Sequence, residues 1–299
     1  MLKYISIFSL CFLFSLKVCA QPFADLLAFN SQNFFSNYSD GSKNPLYVQD
    51  NFLNLFIPKK FGNDHVFLLR LNAEKLSINR TGSNSSSQQL YSLSLPIGFL
   101  FTSPNKKWKY TGVLIPKINS DYKDNLSHDY QLGGIGLVTR VFNENLQVRA
   151  GVYYNREFFG NFFLPLVGVD WKINDRFQIY GTMPSNYRIE YKVSRRWNTG
   201  LGFRSFTRSF RLNNYYGNDF IWVKESQVKI YLEGFVFKNL LLTLDVYRSI
   251  GYQLPRNDYY EPRLEKPGIP ALQPFKDSFG FTIGFAYRIL TAQNKKEVK

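Results

Sequence analysis

From Tyr91 to Phe101 every second side chain is apolar: Tyr91, Leu93, Leu95, Ile97, Phe99 and Phe101, with Ser92, Ser94, Pro96 and Gly98 between them. Successive side chains of an extended chain point to opposite faces, so this two-residue period predicts a strand with one apolar face. The same beat recurs along the chain. Leu146, Val148, Ala150, Val152 and Tyr154 oppose Gln147, Arg149, Gly151, Tyr153 and Asn155; Phe163, Val167, Val169, Trp171 and Ile173 oppose Gly168, Asp170 and Lys172. Tyr187, Ile189, Tyr191 and Val193 oppose Arg188, Glu190 and Lys192, and Val228, Ile230, Leu232 and Val236 oppose Gln227, Lys229, Tyr231 and Glu233. Leu240 to Val246 and Phe279 to Ile289 repeat the pattern, with Asp245 and Arg288 on their polar parities. The expected class is a large, antiparallel, all-β structure.

Alternation alone fits a soluble sandwich as well as a membrane barrel, because both have one apolar and one polar face. The connections separate them. Tight turns rich in Asn, Asp and Ser are expected at Asn143-Glu144-Asn145, Asn174-Asp175-Arg176, Ser194-Arg195-Arg196 and Lys238-Asn239. Between them fall longer loops: Arg80 to Gln89, Asp121 to Tyr130, Asn213 to Ile221 and Gln253 to Asp277. Short alternating with long predicts a transmembrane antiparallel up-and-down β-barrel, its short turns periplasmic and its long loops external. With turns also at Lys59–Asn63 and Thr102–Lys106, and strands at Tyr47–Ile57 and at Asp25–Phe35, whose alternation is poor, the count is about 14. The alternative is 12, should the short strand Phe177–Met183 not form. Tyr91, Trp108, Tyr110, Trp171, Phe177, Tyr187 and Trp197 fall near strand ends on the apolar parity, where an interfacial aromatic belt would sit.

The N-terminus adds a compartment. Lys3, an apolar run from Tyr4 to Leu16 and small residues at Val18 and Ala20 predict an export signal cleaved before Gln21. Residues 1–20 are therefore expected to be a signal peptide, 21–290 the barrel and 291–299 a polar C-terminal tail. Cys11 and Cys19 both lie in the signal, so the mature chain would offer no disulfide, thiolate ligand or cysteine nucleophile. The formal charge is +15, or +13 once Lys3 and Lys17 are removed. These charges are spaced singly through the strands, so nucleic acid is not an expected partner; a positive lumen or anionic lipid head groups suit them better. The negative mean hydropathy does not oppose a barrel, which shows lipid only every second residue.

The run Leu146-Gln147-Val148-Arg149-Ala150-Gly151-Val152-Tyr153-Tyr154, followed by Phe158-Phe159-Gly160 and Leu164-Pro165-Leu166-Val167-Gly168-Val169-Asp170-Trp171, resembles uncharacterised outer-membrane β-barrel proteins of Bacteroidetes. So does the arrangement from about Phe23 to Leu290. The resemblance implies a barrel in the cell outer membrane and carries over no functional residue. Outer-membrane lipids and the outer-membrane assembly machinery are the partners it implies. One departure is the polar tail after Leu290, where many such barrels end on an aromatic residue.

Chemistry-bearing motifs are few. Gly133-Gly134-Ile135-Gly136 lies within a strand, so it gives room for packing rather than a phosphate cradle. The loop carrying Asp121, Asp124, Asn125, Ser127, His128 and Asp129 is the one place with groups for hydrolysis or calcium binding, without the mutual spacing either requires. No cofactor, metal or enzymatic activity is expected. The residues expected to face the lumen are Lys109, Lys117, Arg149, Lys172, Arg188, Lys192, Arg204, Arg208, Lys229 and Arg288, with Asp170, Glu190, Glu233 and Asp245. Ten cations against four anions would favour anions in a confined space. The leading expectation is a porin-like channel or transporter for small anionic or amphipathic solutes. The alternatives are a structural or adhesive surface barrel with a plugged interior, and an outer-membrane hydrolase using the loop 121–130.

Overall fold

The computed structural model describes residues 23–37, 46–62, 64–80, 86–123, 128–212, 219–253, 256–257 and 276–290. They form one antiparallel sheet closed on itself. The strands are β1 (Phe23–Ser36), β2 (Leu46–Phe61), β3 (His65–Arg80), β4 (Ser86–Ser94), β5 (Ile97–Thr102), β6 (Trp108–Ser120), β7 (Tyr130–Val141) and β8 (Leu146–Glu157). They continue as β9 (Gly160–Lys172), β10 (Phe177–Met183), β11 (Asn186–Lys192), β12 (Trp197–Leu212), β13 (Asp219–Phe235), β14 (Leu240–Gln253), β15 (Arg256–Asn257) and β16 (Ser278–Leu290).

Leaving aside β5 and β15, each strand pairs with the next along the chain, and β1 pairs with β16, which closes the ring. β4 and β5 are two halves of one barrel strand, both lying between β3 and β6. Proline cannot donate to a ladder, so Pro96 interrupts the pairing there, while its carbonyl still accepts from the Arg70 N–H at 2.9 Å. The two-residue β15 only extends the edge pairing of β13. The barrel therefore has fourteen strands. The twelve-strand count fails because Phe177–Met183 does form a strand, paired on both sides.

The apolar parity faces outward. Leu201 is 51% exposed, Ile230 63%, Leu244 47% and Ile283 57%, and they belong to an aliphatic band that lipid would cover. Trp108, Tyr110, Trp171 and Trp197 are exposed at one rim; Phe35, Phe163 and Phe279 are exposed toward the other. Six turns at the first rim span three to five residues each; this is the turn end, and the longer connections gather at the loop end, where only β8–β9 and β10–β11 are joined by two residues each. At the turn end Asp64 lies 2.9 Å from Lys60 Nζ and 2.7 Å from Lys106 Nζ. Hydrogen bonds from Lys106 and then Lys60 hold its carboxyl at about 2, below its ordinary 3.8. A depressed folded-state value stabilises above the ordinary value and is lost as pH falls through about 2, by a modest amount for so exposed a pair. Lys106→Ala should move the Asp64 midpoint, followed by carboxyl NMR, upward toward 3.8.

The strand lengths shape the interior. β10 and β11 have seven residues each, whereas β12 has sixteen. β11 pairs with β12 only over residues 198–204, so the outer half of β12 has no strand partner on that side. Instead it reaches β6, with a single parallel bridge between Arg211 and Ser120. Its free edge is met by other groups: the Ser205 N–H donates to the Pro184 carbonyl (3.0 Å), and the Asp121 N–H donates to the Arg211 carbonyl (3.2 Å). At the centre Asn119 Nδ2 donates to the Ser209 carbonyl at 3.0 Å, and the Ser209 N–H donates to the Glu157 carboxylate at 2.9 Å.

Glu157, 3% exposed, thus does the work of a missing strand. It also accepts from Lys117 Nζ (3.1 Å), Asn155 Nδ2 (2.6 Å), Gln131 Nε2 (3.2 Å) and Ser209 Oγ (2.6 Å). Gly133 on β7 makes room for this cluster, because a Cβ there would stand 2.5 Å from Asn155 Oδ1. Ser209 shares the parity of lipid-facing Leu201, yet it is 0% exposed. The outer half of β12 has turned in from the wall.

The inner faces of the loop-end half meet in an apolar plug. Phe34, Leu46, Val48, Leu76, Ile78, Leu90, Phe210, Leu212, Ile221, Val223, Tyr247 and Tyr252 form one buried cluster with Phe206 against it. All twelve are at most 6% exposed. Burying apolar side chains against one another stabilises the closed outer half, by roughly 1.5–3 kcal/mol for each large side chain.

Candidate functional site

Beneath the plug the inner face becomes ionic. Arg208 on β12 lies 2.9 Å from Asp50 and 2.6 Å from Glu74. Lys229 reaches Asp245 at 2.5 Å across the β13–β14 pair. Arg188 and Arg288 both grip Glu233 at 2.6 Å, and Arg288 also donates to Asp25 at 2.6 Å. Arg149 pairs with Asp170 across the β8–β9 pair. Glu190 accepts from Gln178 (2.5 Å), Tyr180 (2.9 Å) and Tyr231 (3.3 Å). Lys109 Nζ donates to Gln147 at 3.2 Å, Lys172 pairs with Asp175 at 2.9 Å near the turn end, and Lys192 also stands there, half-buried. Lys117 belongs to the Glu157 cluster, and Arg204 lies over the ring of Phe206 at 4.8 Å.

The charge excess read from the sequence is a correction. Asp25, Asp50, Glu74, Glu157 and Glu225 also bear on the interior, where Arg70 adds one cation. With these additions the described residues named above come to nine carboxylates against eleven cations, where the sequence parity gave four against ten. Buried charges are stabilised by pairing, and most of the inward cations hold a carboxylate, while Arg70 and Arg204 instead lie over the rings of Phe56 and Phe206. Asp25 escapes a parity reading because β1 carries a bulge between Asp25 and Leu27, which flips the face of every residue before it. Asp50 and Glu74 share inner faces with apolar Phe52, Val48, Leu76 and Ile78, which erases the polar–apolar contrast.

Two adjoining cavities lie among the described residues. The larger, about 670 Å³, extends to the turn end, where Phe23, Pro58, Lys109 and Ile289 line it. One side is largely apolar, with Phe52, Phe56, Leu68 and Leu100 beside Asn54, Asn72 and Arg70, whose guanidinium lies 4.7 Å over the Phe56 ring; the other carries Lys109, Arg149 and Arg188. The smaller, about 200 Å³, lies among Arg188, Arg204, Lys229 and Arg288 with their carboxylates. Asp25, Ala28, Asn30, Phe52, Asn186, Arg188 and Arg288 line both, so the two adjoin. Together they form a chamber with a largely apolar wall, a cationic wall and an apolar lid.

In the loop at residues 121–130, His128 is exposed while Asp129 is 0% exposed and lies 3.7 Å from Arg211. Asp124, Asn125 and Ser127 lie outside the described residues, as do most of the loop 253–277 and the tail 291–299. Among the described residues no cluster of three or more His, Cys, Asp or Glu could hold a metal ion.

Residues 67–288 match the family model described as a domain of unknown function, DUF6268. A search of curated proteins finds no match. Among solved structures the barrel is similar to an outer membrane channel from Pseudomonas putida F1, at 9% identity and a TM-score of 0.46, covering 89% of this chain and 96% of that one. It is similar to the toluene transporter TodX of P. putida at 10% identity and a TM-score of 0.43, covering 88% and 89%. It is also similar to the translocator domain of the autotransporter NalP from Neisseria meningitidis, at 9% identity and a TM-score of 0.38, covering 89% of each chain.

Proposed function

We propose that this chain, which belongs to the DUF6268 family, is an integral outer-membrane barrel that passes a small anionic or amphipathic solute through a chamber held shut at its outer end. The carrying observation is the chamber of about 670 Å³ with one largely apolar and one cationic wall, lying beneath twelve buried apolar residues. A lumen meant only to be filled would not need that space. Hydrophobic constrictions close pores by excluding water, and the plug is such a constriction. The outer band and its aromatic rims suit lipid on the outside, and export through a cleaved signal suits that location. The reading assigns no catalytic step.

The plug also favours a second reading, a surface barrel whose interior is permanently closed. Planar-bilayer recording under a salt gradient separates the two. The wild-type barrel should be silent or open rarely, and when opened should prefer anions. A correctly folded barrel that stays silent after its plug is truncated would leave the closed surface barrel as the better reading.

Orientation has its own test. Lys123 stands at the loop end and Glu144 at the turn end, both exposed. With the signal removed no native thiol competes, so a single cysteine at Lys123 should react with an impermeant maleimide on intact cells and one at Glu144 should not. The opposite pattern would invert the barrel.

A further inference from the structure

The small cavity under the plug is lined by four cations and four carboxylates, Asp25, Asp50, Glu233 and Asp245, yet one of its cations is joined to none of them. Four cations line it: Arg188, Arg204, Lys229 and Arg288. Three hold carboxylates, Arg188 on Glu233, Arg288 on Glu233 and Asp25, and Lys229 on Asp245. Arg204 makes no ion pair or hydrogen bond among the described residues; its guanidinium rests over the Phe206 ring at 4.8 Å. A guanidinium stacked on a ring keeps its in-plane N–H fork free for a planar acceptor. The Phe206 ring also lies 4.6 Å from the Arg208 guanidinium, so it stands between Arg204 and the Arg208, Asp50 and Glu74 cluster. Glu225 is the register partner of Phe206, and no ion pair joins it to Arg204.

Other groups complete a receptor. Asn186 and Gln227 are the cross-strand partners of Arg204 on either side and also line the cavity. In the next row toward the turn end stands Arg188, whose Nε–H is buried without an acceptor. From there the cavity adjoins the larger one past Phe52, toward Phe56.

We infer that Arg204 anchors a binding site for a monoanionic organic carboxylate, whose head lies between Arg204 and Arg188 and whose apolar body lies along Phe52 and Phe56. This rests on the reading that the chamber receives a solute, and names the class. Two carboxylate oxygens match a guanidinium fork. The single fork of Arg204 matches one carboxylate head, whereas a dianion would meet Asp25, Asp50 and Asp245 around the cavity with its second charge. The combined volumes, about 670 and 200 Å³, are of the size that small-ligand pockets have.

The test is calorimetric titration of the full-length detergent-solubilised barrel with octanoate, 1-octanol and octyl phosphate. Octanoate should bind most tightly. Arg204→Gln should weaken it by about tenfold or more, the scale of one lost charge-assisted hydrogen bond. Arg140→Gln, an equal change of charge beside Trp108 on the outer face, should leave it within about twofold. Both variants should retain heat-modifiable migration in gels, so a misfolded barrel is recognised. Equal octanoate affinity in wild type and Arg204→Gln would overturn the site, as would tightest binding of octanol or of the phosphate. Failure of the conduit reading looks different: octanoate binds through Arg204, yet no plug variant conducts.

Discussion

Truncating two rings of the plug, Phe34→Ala together with Phe210→Ala, should turn a barrel that is silent in a planar bilayer into one with stepwise, anion-preferring conductance. Phe34 is 1% exposed and Phe210 0% exposed; Phe34 also packs edge-on against Tyr252 with ring centroids 4.8 Å apart. Removing both leaves a void whose inner boundary is the charged row of Arg208, Asp50 and Glu74. A void walled only by apolar groups stays dry, but one that touches charged groups takes up water. Each truncation costs about 3–5 kcal/mol of packing in a soluble core, so barrel folding must be verified by heat-modifiable migration. Phe34→Leu, which keeps most of the volume, should remain silent. A folded double variant without conductance would show that the plug is not the barrier.

The second large effect is expected at Glu157. Replacing it by Ala leaves Lys117 buried without its counter-charge and the Ser209 N–H without an acceptor at the free edge of β12. Breaking one side of a buried ion pair typically costs about 3–5 kcal/mol, and the unmet edge group adds to that. The heat-induced loss of the compact gel band should move to a clearly lower temperature. The loss belongs to the charge pair as well as to the edge, so Glu157→Gln should be less damaging when combined with Lys117→Met than when made alone. A double-mutant cycle with no coupling between the two positions would mean that the seam does not depend on the pair.

Much of this fold is legible in the sequence because a transmembrane barrel imposes one rule on every strand. Lipid outside and side chains inside force the alternation seen from Leu146 to Tyr154 and from Phe279 to Ile289, and turn chemistry marks the short rim. Fourteen strands follow once Phe177–Met183 is counted, a strand too short to stand out but bounded by its turns. Local pattern could not balance the charges. The carboxylates of Asp50 and Glu74 lie on inner faces that are partly apolar, and the bulge before Leu27 puts Asp25 on the parity where lipid-facing residues are expected.

By itself, then, the sequence determined the class of fold, the strand order and the outward apolar face, all of which depend on residues close together along the chain. Only the tertiary structure decided whether the interior is open. That depends on β10 and β11 being shorter than β12, which leaves the outer half of β12 free to turn inward and pack Phe210 and Leu212 against Phe34, Leu46 and Leu76. The Glu157 and Ser209 contact, 52 residues apart, and the Arg208 and Asp50 contact, 158 apart, arise from the same turn of the strand. Such contacts leave no periodic trace, because what selects them is a missing neighbour in the wall rather than a pattern within a strand.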